Sequence, residues 1–93
     1  MSEETPAMRA SYDDATDVLY VSLTPVCKRA RSFDGPRGVV WRVAVDTETT
    51  CGATIIGVHQ SWGDHAGELI DLLAARLPIH RSVIEEAVKP AVN

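Results

Sequence analysis

The hydrophobic period of this chain changes once, from two to about 3.6, between Gln60 and Ala66. Upstream, short runs of alternating apolar residues are separated by turn formers, the pattern of half-buried strands. Downstream, Ala66, Leu69, Ile70, Leu73 and Leu77 follow the spacing i, i+3, i+4, i+7, i+11, one apolar stripe on a helix. Strands followed by helices predict an α+β domain. The expected form is an antiparallel β-meander of about five strands covered by a C-terminal helix, plus a short second helix. A chain of 93 residues supports one such core. Residues 1–6 are expected to be a mobile N-terminal tail and residues 7–93 the single domain.

The strongest strand is Asp17–Leu23. Leu19, Val21 and Leu23 point to one face and Val18, Tyr20 and Ser22 to the other, with no Gly or Pro between them. Apolar groups on both faces place it inside a sheet. Ala7–Tyr12 precedes it across the polar loop at 13–16, and Pro25 follows it. Cys27–Phe33 reads as a weaker strand, closed by the turn Asp34-Gly35-Pro36-Arg37-Gly38. Val39–Asp46 and Ala53–Gln60 are the remaining strands, with a polar turn at 47–52. Gly57 inside the last one signals a bulge or a close approach of another element. Tyr20 and Trp41 are expected in the core. Ser61-Trp62-Gly63-Asp64 reads as a capping box before the first helix, with Asp64 itself as the other N-cap choice. Pro78 ends that helix. Ser82-Val83-Ile84-Glu85 starts a second helix, which Pro90 is expected to stop.

Composition narrows the function classes. The net charge of −4 gives no general attraction to nucleic acid. No apolar run approaches the ~18 residues of a membrane span, and the acidic start Met1–Pro6 is unlike a secretory signal. Cys27 and Cys51 lack metal-ligand or redox spacing and read as reduced thiols of a cytoplasmic protein. No cofactor is implied. The loop Gly35–Gly38 lacks the glycine spacing and the lysine of a phosphate loop, and Ser61 has no nucleophile elbow around it.

Two clusters carry the remaining chemistry. In a meander the loops at 13–16 and 34–38 and the helix entry near Asp64 share one end of the sheet. Asp13, Asp14, Asp17, Asp34, Asp64 and His65 gather there with His59 close by, and Asp46 and Glu48 lie at the other end. Asp13, Asp17, Asp64 and His65 are the candidate ligands for a divalent cation, because carboxylates with imidazole suit manganese or zinc and carboxylates alone suit calcium or magnesium. The structural reading of the same residues is turn formation and helix capping, and no spacing matches a known metal loop. The second cluster is the basic run Lys28, Arg29, Arg31, Arg37 and Arg42, interrupted by acid only at Asp34. It serves either as a patch for an acidic partner or as a solvated strand edge that discourages edge pairing. Arg29 and Arg31, with a surface-exposed Trp62, are the candidate partner-binding residues. Aromatics are not interleaved, which argues against nucleic-acid stacking.

Tyr12-Asp13 followed by Asp17-Val18-Leu19-Tyr20-Val21 resembles the small bacterial family catalogued as "domain of unknown function 2283". Val43-Ala44-Val45-Asp46 and Ile55-Ile56-Gly57-Val58 look like its later strands, so the resemblance covers about residues 8–60. The chain departs from it at His59, where members often carry a glutamate, and in the turn 47–52. The resemblance implies a β-rich fold and bacterial origin and carries over no catalytic residues. Some members look like partners of small toxin-like proteins. The resulting expectation is a non-enzymatic protein-binding or homo-oligomeric assembly module, with an antitoxin-like protein as a special case. The expected partner is a second copy or a small protein, meeting the sheet face that one helix leaves uncovered. The alternative is a small metal-dependent enzyme using the Asp/His end.

Overall fold

The computed structural model describes residues 7–24 and 29–92. The expected tail at 1–6, and Cys27 and Lys28, lie outside the described residues. Five strands are present: β1 (Ala7–Asp13), β2 (Val18–Thr24), β3 (Ala30–Asp34), β4 (Val39–Ala44) and β5 (Thr50–Ile56). Three helices follow: α1 (Val58–Trp62), α2 (Ala66–Arg76) and α3 (Arg81–Val92). The sheet is antiparallel throughout, and the α+β class stands as expected.

Its connectivity departs from a simple meander. The strand order is β1-β2-β5-β4-β3, so β5 lies at the centre between two hairpins. Val18 faces Ile56 on one side of β5, and Val39 faces Ile55 on the other. This place suits the composition of β5. Residues Thr50, Cys51, Gly52, Ala53 and Ile55 are all buried, as a strand flanked on both edges and covered by helices requires.

The register sorts the side chains. Leu19, Val21, Leu23, Val39, Trp41, Ala53 and Ile55 form one face and join the core. The helices close over it with Val58, Trp62, Leu69, Ile70, Leu73, Leu77, Ile84, Val88, Ala91 and Val92. Each such large aliphatic side chain contributes roughly 1.5–3 kcal/mol before entropy. The helix stripe expected over Ala66–Leu77 is therefore the buried one, although Ala66 is only half-buried.

Several local expectations are corrected. The strand predicted over Ala53–Gln60 stops at Ile56, because Gly57 adopts a left-handed conformation (φ 68°) and starts α1. Asp64 does not cap α2; His65 occupies that position and makes no side-chain cap hydrogen bond. At α3 the cap is His80 rather than Ser82, since His80 Nδ1 accepts the Ser82 backbone N–H at 3.2 Å. Glu85 pairs instead with Arg81 Nε at 3.2 Å, and Arg81 also bridges to Asp71 on α2. Pro90 does not end α3, which continues through the buried Ala91 and Val92. Burial of those two residues holds the last turn helical past the missing N–H. Tyr20, expected in the core, is 48% exposed on the sheet face away from the helices, whereas Trp41 is buried. Cys51 is disulfide-bonded, which corrects the reduced-thiol reading at this position. Sequence spacing reports nothing about which sulfurs come together in space.

Candidate functional site

Strand alternation does bring the β1–β2 loop, the β3–β4 loop and the C-terminus of β5 to one end of the sheet. The turn carrying Asp46 and Glu48 lies at the opposite end, between β4 and β5. The acidic residues at the first end are then spent individually.

Asp17 is the hub. Its backbone is left-handed (φ 55°), which turns its carbonyl and its carboxylate toward α1. Its carbonyl oxygen accepts the N–H groups of Gly57 at 2.8 Å and Val58 at 3.1 Å. Carboxylate oxygen Oδ1 accepts the Tyr12 hydroxyl at 2.8 Å and the His59 N–H at 3.0 Å. The other oxygen accepts the Gln60 N–H at 3.1 Å. Gly57 has no side chain to cap α1, and Asp17 supplies the capping carboxylate from the far end of the sequence. These bonds hold the Asp17 carboxyl below the ordinary aspartate range; the His59 N–H is the largest cause, burial opposes it as the next largest, and the bonds from Tyr12 and Gln60 together with the nearby His59 add to the lowering. The Tyr12 hydroxyl is pushed up, first by its bond to Asp17, then by burial and the nearby aspartates.

The sign of the pH effect follows. A depressed carboxyl pKa stabilises the fold above the unfolded-state value of about 3.9 and loses that contribution as pH falls through the folded value. Asp17→Asn is therefore expected to lower the thermal midpoint by several degrees at neutral pH. The gap from wild type should begin to narrow as pH falls below the unfolded-state value of about 3.9 and close once it has passed the lower folded-state value, where the wild-type carboxylate is itself protonated. A thermal melt series in which the gap stays constant down to acid would show that the Asp17 charge does not hold α1.

The other metal candidates are dispersed. Asp13 Oδ1 accepts the Ala15 N–H at 3.1 Å, a local turn bond. His65 Nδ1 lies 3.0 Å from Glu68 Oε2, one turn along α2, and Asp64 is exposed beside it. Among the described residues, no group of three or more His, Cys, Asp or Glu side chains is placed to hold a metal ion. At this end Asp17 caps α1 and Asp13 makes a local turn bond.

The basic run is split by the fold. Arg42 is on the helix-free face of the sheet and Arg31 on the other, while Arg37 sits in the 3-10 turn Pro36–Gly38. Arg29 is exposed and its carbonyl accepts the Val45 N–H at 3.0 Å. Arg31 borders a shallow hollow of about 260 Å³ beside Phe33 and Asp46. The expectation that Trp62 is exposed is corrected. It is buried to 4%, its Nε1 donates to the Arg37 carbonyl at 3.2 Å, and the Arg37 guanidinium lies 5.1 Å from its ring centre. The helical turn of α1 rotates it inward, where a continued strand would have left it outside.

What remains open is the second face of the sheet. The residues paired away from the core are Arg9, Ser11 and Asp13 on β1, and Tyr20 and Ser22 on β2. Thr54 and Ile56 continue it on β5, Val40 and Arg42 on β4, and Ser32 and Asp34 on β3. Tyr20 is 48% exposed in its middle row and Ile56 54% exposed at the loop end of β5, with Val40 half-buried toward the β3 edge. The sequence signal for this face is the second apolar set, Val18 and Tyr20 in β2 with Val40 and Ile56 in the later strands. Arg9 and Asp34 were not read as part of any face, because pairing register is invisible in a single strand. Comparison with protein-family models, with curated proteins and with solved structures finds no match to this chain.

Proposed function

We propose that this chain is a non-enzymatic protein-binding and assembly module that works through the helix-free face of its sheet. The observation that carries this reading is the pair of large apolar side chains, Tyr20 and Ile56, about half exposed on a face that also carries Val18 and Val40 and is edged by polar and charged residues of β1 and β3. A sheet with one face packed and one face solvated normally shows polar residues outward, and an apolar centre with a polar rim is the anatomy of an interface. The commitment of the Asp17 oxygens to Tyr12 and α1 favours this reading over a metal-dependent enzyme. The resemblance to the bacterial family adds an antitoxin-like partner protein as a special case. No helix among the described residues is long and apolar enough to cross a membrane. The cytoplasmic setting implied by the reduced-thiol reading of Cys27 and Cys51 has the Cys51 disulfide weighing against it.

The test compares wild type with Tyr20→Lys and Ile56→Lys. Both variants should melt like wild type, since both positions are solvated, and both should lose stoichiometric association with protein, self or other, by sedimentation and co-purification. Association that survives both changes places binding elsewhere on the molecule and overturns the reading.

A further inference from the structure

We propose that the occupant of this face is a second copy of the same chain, packed sheet on sheet with its strands reversed, so that Arg9 of each copy meets Asp13 of the other. The inference rests on the interface reading above and names the partner and its alignment.

The argument is charge placement. Across the sheet, Asp13, Val18 and Ile56 lie in one row, side by side on neighbouring strands. Ser11, Tyr20, Thr54, Val40 and Asp34 form the next row, and Arg9, Ser22, Gly52, Arg42 and Ser32 the one after. Asp13 is therefore in the loop-end row, Asp34 in the middle row, and both arginines in the row at the other end. The face carries two arginines and two aspartates, so it is neutral on a chain whose net charge is −4. It is a place where two copies can approach without the repulsion the rest of their surfaces impose.

A two-fold axis along the middle row reverses the strand direction and keeps each strand over its own copy. Arg9 then stands over Asp13 at the β1 edge, twice by symmetry, as an isologous interface demands. Tyr20 meets Tyr20 and Val40 meets Val40 at the centre, where offset aromatic packing is favourable. At the β3 edge the two Asp34 carboxylates come to the axis, each one row from an Arg42 of either copy, within reach of that long side chain. The alternative axis, parallel to the strands, brings the arginine rows together and gives Asp13 no cation.

Area sets the strength. Five strands about 4.8 Å apart and five residues deep at about 3.4 Å give a flat footprint of roughly 400 Å² per copy. Over both copies that is about 800 Å², below the roughly 1,200–2,000 Å² of standard stable interfaces, so the dimer should be a weak one, forming at roughly micromolar concentrations or above. A shallow depression of about 410 Å³ beside Arg9, Ser11, Tyr20 and Ser22 gives the opposing side chains room.

The test is a charge swap read by sedimentation equilibrium. Arg9→Asp and Asp13→Arg should each weaken the dimer by about tenfold, since two symmetric pairs turn from attraction to repulsion. The double variant, which restores opposite charges, should return the dissociation constant to within about threefold of wild type. Because Asp13 also accepts the Ala15 N–H, Arg9→Ala serves as a second probe: wild-type dimer should weaken with added salt, and the Arg9→Ala dimer much less. A dimer that Ile56→Lys abolishes but the double swap does not rescue overturns the reversed alignment and leaves the face reading intact. A wild-type chain that stays monomeric at high concentration overturns the second copy as occupant. Loss of the face reading itself would show as a dimer indifferent to Tyr20→Lys and Ile56→Lys.

Discussion

Trp62→Ala is expected to lower the unfolding midpoint by roughly 15–30 °C. Truncating a buried tryptophan costs about 3–5 kcal/mol, and each kcal/mol moves the midpoint of a domain this size by about 4–8 °C. The whole stability of a 93-residue chain is roughly 5–14 kcal/mol, so this one change removes a large part of it. The loss has three sources: the ring in the core, the Nε1 bond to the Arg37 carbonyl, and the face on which the Arg37 guanidinium stacks. Trp62→Phe separates them. It keeps most of the packing and should cost about 1 kcal/mol beyond any packing mismatch, the net value of one hydrogen bond. Differential scanning calorimetry checks both variants. An alanine variant that melts within a few degrees of wild type would return Trp62 to the surface role that its strand-end position suggested.

Gly38→Ala should be nearly as damaging, for a backbone reason. Gly38 has φ 81°, and a Cβ there would stand far inside contact with the Ile56 carbonyl oxygen. An alanine in a left-handed conformation costs about 1–2 kcal/mol, and the clash with a main-chain atom adds roughly 1–3 kcal/mol. The contact joins the β3–β4 loop to the end of β5, so the strain falls on the point where the central strand gives way to α1. Gly67→Ala is the opposite case. Nothing lies within 4 Å of its Cβ direction on α2, and the change should stabilise by about 0.5–1 kcal/mol through helix propensity. Denaturant titration of the pair should show midpoints moving in opposite directions; a shift of the same sign in both would sink the argument.

The parts legible in the sequence were those with a repeating period. β2, β4 and the stripe of α2 were readable because many residues vote for the same face. The parts that were not readable depend on one residue or on a distant partner. A single glycine, Gly57, converts what looked like a continuing strand into a helix start, and the alternation through Val58 and Gln60 masks the change. The cap of α1 could not be read locally, since its carboxylate belongs to Asp17 and reaches it only after β5 is paired beside β2. The Tyr12–Asp17 combination was noticed as a resemblance; its physical content is the hydroxyl-to-carboxylate bond that closes the β1–β2 loop. The open face was half legible, because Val18, Tyr20, Val40 and Ile56 announce a second apolar side while its charges are assembled from three strands.

The central place of β5 also orders the folding reaction. The two hairpins, β1–β2 and β3–β4, consist of contacts local in sequence, and such contacts form quickly. Neither hairpin touches the other through strand pairing except across β5. Until residues 50–56 have been synthesised and inserted, β2 and β4 each present a free, apolar strand edge, the kind that recruits other chains. Because β5 also pairs locally with β4 across the 45–49 turn, the rate-limiting step should be the docking of β5 on β2, and a nascent chain released before Ile56 should be the species most prone to aggregate.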